Sequence, residues 1–84
     1  MSTYDRTLSQ IMGGGSDSNV RFNRLGQLLL RLGFEERVRG SPPIFRRPDV
    51  EERINLPRDR SKAKAYQVRQ VRAILLRHGL GDEA

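Results

Sequence analysis

Leu25, Leu28, Leu29 and Leu32 recur at helical spacing and Gly33 follows directly, while Val68, Val71, Ile74 and Leu75 repeat the pattern ahead of Gly79. Each set makes one apolar stripe on a helix, and each glycine is suited to the left-handed residue that ends it. These two helices leave little freedom to the chain between them. That stretch holds "FEERVRG", "PIFRR" and "RINLP", short segments with β-branched or aromatic residues and no room for a further helix. Gly40-Ser41 suits the first turn and Pro48-Asp49 the second, proline for its preset φ and aspartate for its bond to the backbone beyond. The order is helix, three strands, helix: an α+β domain, α-β-β-β-α, with a three-stranded antiparallel sheet and two helices on one face.

Upstream, "TLSQIM" reads as a short helical turn and "GGGSDS" at 13–18 as a flexible connector. Residues 1–18 are therefore expected to be a flexible leader, with the domain spanning 19–82. The chain of 84 residues has no cysteine and one histidine, so neither a disulfide framework nor a structural metal is expected, and one small core must hold it. No run of about 18 apolar residues occurs and no signal-peptide pattern opens the chain, which predicts a cytoplasmic protein outside the membrane. Sixteen Lys and Arg against ten Asp and Glu give a net charge of +6. That balance favours phosphate-rich or acidic partners, although small domains also carry net charge simply for solubility.

The element order is that of the double-stranded-RNA-binding fold, and the sequence resembles the HicA family of bacterial toxins. The resemblance lies in "LLLRLGFEERVRGS", in the strand "PIF", in "EERINLP", in "KAKAYQVRQVRAIL" and in the closing "HGLG"; "TLSQIMGGGSDSNVRF" is similar to the leader of one branch. The resemblance implies an mRNA interferase of a toxin–antitoxin system, an endoribonuclease that uses no metal or other cofactor and is neutralised by a HicB-like antitoxin.

It also implies where the chemistry should sit. The family places glycine, a small residue and then a catalytic histidine at the turn into the second strand; here Gly40 and Ser41 match, but the histidine position is Pro42, followed by Pro43. Imidazole can take a proton from an attacking hydroxyl or give one to a leaving oxygen near neutral pH, and proline can do neither. Losing such a group lowers a rate by roughly 10²–10⁴, so weak or absent nuclease activity is expected. The prolines also have a structural reading, stiffening a strand start where a missing N–H is tolerated; a decayed toxin and an engineered copy both fit. His78, the sole imidazole, is read as a helix-end residue rather than a catalyst. Tyr66, Asp59, Glu35 and Glu36 are read as ordinary polar groups.

For binding, Lys62, Lys64, Arg69 and Arg72 cluster before and along the second helix, with Arg37 and Arg39 on the first strand and Arg46 and Arg47 on the second as extensions. A helix N-terminus adds free N–H groups and a positive dipole end, and A-form RNA is read largely through phosphates, shape and 2′-hydroxyls. The plainer reading of such residues is a solvated helix face. Three outcomes stay open: an mRNA-binding toxin with impaired cleavage, an active ribonuclease that uses a different residue, or a non-enzymatic protein that binds RNA or only the antitoxin. A DNA-binding module is disfavoured by the lack of helix-turn-helix spacing and zinc ligands.

Overall fold

Ser2 starts the first helix. Its side chain accepts from the Asp5 backbone N–H at 3.1 Å and the Asp5 carboxylate accepts from the Ser2 N–H at 3.4 Å, a reciprocal cap that satisfies two otherwise orphaned donors. The computed structural model describes residues 2–37, 43–57 and 61–80. Within them α1 (Thr3–Gly13) is followed by a short 3₁₀ turn (Asp17–Asn19), α2 (Phe22–Arg31), β1 (Glu35–Arg37), β2 (Ile44–Arg47), β3 (Val50–Asn55) and α3 (Ala65–Arg77).

The α+β architecture and the helix–three strands–helix order are thus present, with one helix added in front. The sheet order is β1-β2-β3 and both pairings are antiparallel. Phe45 lies opposite Ile54, and both are buried; Val50 shares their face. Leu25, Leu28 and Leu29 of α2 and Val68, Val71, Ile74 and Leu75 of α3 join them in a single core, so the helices cover that side. The other side carries Arg37, Ile44, Arg46, Glu51 and Arg53 and stays largely open. Pro48 and Asp49 form the two-residue turn between Arg47 and Val50. Gly40, Ser41 and Pro42 lie outside the described residues, as do Arg39 and Asp59.

Both anticipated glycine stops occur. Gly33 has φ 94°, its N–H donates to the Leu30 carbonyl at 3.1 Å, and the Phe34 N–H reaches back to Leu29 at 3.0 Å. This is the Schellman pair of bonds, and only a residue at ease with positive φ makes it cheaply. Gly79, at φ 66°, ends α3 with its N–H donating to the Leu76 carbonyl at 3.3 Å, and Leu80 returns to the core.

The leader is where expectation and structure part. Residues 3–13 form an eleven-residue helix, not a flexible segment, and Leu8 and Ile11 are buried in the common core. Arg72 ties this helix down from α3: its guanidinium donates to the Ile11 carbonyl at 3.1 Å and makes a two-pronged bond to the Asp17 carboxylate at 2.8 and 3.2 Å. The glycine run therefore connects two packed parts of one domain. Its left-handed turn at Gly14, φ 75°, ends α1.

Candidate nucleic-acid interface

Residues 20–22 run beside residues 61–63 as a short antiparallel bridge. The Ala63 N–H donates to the Val20 carbonyl at 2.8 Å and the Phe22 N–H to the Ser61 carbonyl at 2.9 Å, pairing Arg21 with Lys62. Buried Val20 and Ala63 anchor the two segments. The bridge brings the first residues of α2 and the approach to α3 together, so two positive helix ends and two cations share one edge.

Across this edge lies α1. Between them is a surface cleft of about 410 Å³ lined by Arg6 and Gln10 of α1, Asn19 and Arg21 before α2, Arg24 in its first turn, and Lys62. Among the described residues, none that lines it is acidic, and the four cationic side chains are exposed and make no ion pair. Gln10 is not available to a ligand through its amide N–H, which donates to the Asn19 carbonyl at 2.9 Å and holds the cleft wall. Four unpaired cations around a concavity give a potential suited to successive phosphates.

The residues expected from sequence divide sharply. Lys62 lines the cleft; Lys64 is the N-cap just ahead of α3, where its backbone N–H donates to the Gln67 side chain at 2.8 Å. Arg69 is exposed one helical turn from Arg72, and its charge helps to hold the Asp17 carboxyl below its usual range. Arg72 itself is committed to the protein. Its hydrogen bond is the largest cause of the lowered Asp17 pKa, outweighing the desolvation that opposes it, and Asp17 in turn raises the Arg72 pKa. A guanidinium occupied by a carboxylate and a helix-end carbonyl is a clasp, not a phosphate ligand, which corrects the expectation for Arg72.

Arg37 is exposed on β1, on the open side of the sheet, away from this cleft. Arg47 turns inward, donating to the Leu32 carbonyl at 2.8 Å and pairing with Asp49 at 2.8 Å, and so caps the end of α2. Pro43, the second of the two prolines, has its carbonyl fixed by the Leu56 N–H at 3.2 Å. Arg6, Arg21 and Arg24 were missed: the first fell in the supposed leader, and the other two have the (i, i+3) spacing of a shared helix edge but no sequence signal pointing toward Lys62.

Among the described residues no acid–base pair accompanies the cations. His78 lies at the far end of α3, roughly 20 Å along the helix from Lys64, where its Nε2 donates to Glu52 at 2.9 Å beside the Arg77–Glu52 pair at 3.0 Å. That hydrogen bond is the first cause of the lowered Glu52 pKa, with the backbone bond to Glu52 second. His78 thus fastens α3 to β3, which agrees with its reading as a helix-end residue. Among the described residues no cluster of three or more His, Cys, Asp or Glu is arranged to hold a metal, and no helix is long and apolar enough to cross a membrane. Comparison of the chain with protein-family models, with curated proteins and with solved structures finds no match.

Proposed function

We propose that this chain is a HicA-like, RNA-binding protein of a cytoplasmic toxin–antitoxin pair, with little or no nuclease activity of its own. The observation that carries the RNA reading is the cleft of Arg6, Arg21, Arg24 and Lys62, which among the described residues are unpaired and have no carboxylate beside them in the lining. Phosphates entering it would meet four charges beside the first turn of α2, and none of these contacts reads a base. Binding is therefore governed by backbone geometry, as for structured mRNA or an A-form duplex. The HicA element of the proposal, and with it a HicB-like antitoxin as partner, rests on the sequence motifs, and so does the loss of cleavage through Pro42.

The test uses a fluorescently labelled RNA hairpin and follows anisotropy as protein is added. Arg24→Gln with Lys62→Gln should weaken binding at least tenfold, while Arg37→Gln, on the open side of the sheet, should change it little. Equal losses from both variants would mean that net charge, and not the cleft, holds the RNA. A parent protein with no affinity for the hairpin but a stable complex with a HicB-type antitoxin would favour the binding role without RNA.

A further inference from the structure

A second concavity, of about 540 Å³, runs between the start of α1 and the exposed side of α2. Its character differs from that of the cationic cleft. Tyr4, Leu28 and Leu30 supply an apolar floor, and Leu30 is 48% exposed although it is a leucine in a helix otherwise sorted cleanly into buried and polar faces. Arg24 and Arg31 stand at the rim, and Gln27 lies between them. The Arg31 guanidinium sits 4.9 Å from the centroid of the Tyr4 ring, stacked over its face.

We propose that this α1–α2 groove docks an acidic amphipathic peptide segment of a partner protein. Apolar side chains of the segment would cover Leu30 beside the Arg31-covered Tyr4 ring, and its carboxylates would meet Arg24 and Arg31. Charge complementarity selects this occupant. Among the described residues no lining residue is acidic, so a segment rich in Asp or Glu meets attraction along the rim. A second copy of the chain would bring the same +6. Nucleic acid fits poorly, because the one aromatic face that bases could stack on is already covered by Arg31. The groove shares Arg24 with the cationic cleft, but Leu30, Tyr4 and Arg31 belong to it alone, and the inference stands on these whether or not the cleft takes RNA.

The probe is a synthetic helical peptide alternating glutamate and leucine at amphipathic spacing, added to the ¹⁵N-labelled full chain and followed by NMR. The expected result is saturable shifts confined to residues of α1 and α2 around Tyr4, Leu30 and Arg31, with affinity reduced at least tenfold by Leu30→Ser and by Arg31→Glu. Both positions are exposed, so both variants keep the core intact. Three results would overturn the proposal: equal binding by the glutamine counterpart of the peptide or by polyglutamate of the same length; shifts that map elsewhere; or, in sedimentation of the free protein, a dimer that Leu30→Ser abolishes, which would give the groove to a second copy.

Discussion

Replacing Ile11 by alanine separates a packed first helix from a leader that merely rests on the surface. Ile11 is fully buried and Leu8, one turn earlier, is 4% exposed, so the change removes three carbons from the interior rather than from an interface with water. Truncating a buried isoleucine to alanine typically destabilises by about 2–5 kcal/mol, from lost transfer energy and the cavity left behind. The better helix propensity of alanine returns about 0.5 kcal/mol. A net loss of about 1.5–4.5 kcal/mol is a large share of the roughly 4–13 kcal/mol expected for a domain of this length. At about 4–8 °C per kcal/mol, the melting temperature should fall by at least 6 °C. Thermal and urea denaturation followed by circular dichroism measure both quantities, and Ser9→Ala, exposed on the same helix, is the control. A loss below about 0.5 kcal/mol, the range of ordinary surface substitutions, would refute the account of α1 as part of the core.

Other expectations follow from single contacts. Because Arg72 lowers the Asp17 pKa from 3.8, the stability this carboxylate contributes is complete above that value and is lost as pH falls through the lower folded value; melting curves on an acid series should show a shallower acid decline for Asp17→Asn than for the parent. Gly26 lies inside α2, and a Cβ there would meet only the Phe45 ring edge at 3.6 Å, an ordinary contact. Gly26→Ala should therefore stabilise the protein by about 0.5–1 kcal/mol in urea denaturation, and a destabilised variant would show that Phe45 has no room to give. The double variant Pro42→His, Pro43→His should cut a defined mRNA that the parent leaves intact, with folding of both checked by circular dichroism; equal cleavage by the parent would mean that another residue carries the chemistry.

The periodic elements were legible because their signals are local. Leucines every three or four residues and a glycine after the last one determine α2 and its end, and Val68, Val71, Ile74 and Leu75 do the same for α3. The first helix was not legible as a core element. Its buried set is only Leu8 and Ile11 with a threonine, too few for a strong periodic stripe, and the glycines after it look like a linker while one of them makes a helix-ending turn. What holds α1 is the long-range clasp of Arg72 on Asp17 and Ile11, 55 and 61 residues away in sequence. The same blindness explains the site. Charge counts place arginines on α3, yet cannot say that Arg72 is consumed inside the protein while Arg21, Arg24 and Arg6 converge on Lys62. That convergence depends on the bridge between residues 20–22 and 61–63, two segments with no recognisable strand pattern. The reading of residues 40–42 rests on motif alone, since they lie outside the described residues.

The most direct test of the central claim is the salt dependence of RNA binding. If Arg6, Arg21, Arg24 and Lys62 each neutralise a phosphate, the logarithm of the affinity for an RNA duplex should fall against the logarithm of salt concentration with a slope of roughly 3 to 4. In Arg24→Gln with Lys62→Gln the slope should drop by about 2. A slope near zero for the parent, or one that the double variant leaves unchanged, would contradict the assignment of this cleft to the phosphates of RNA.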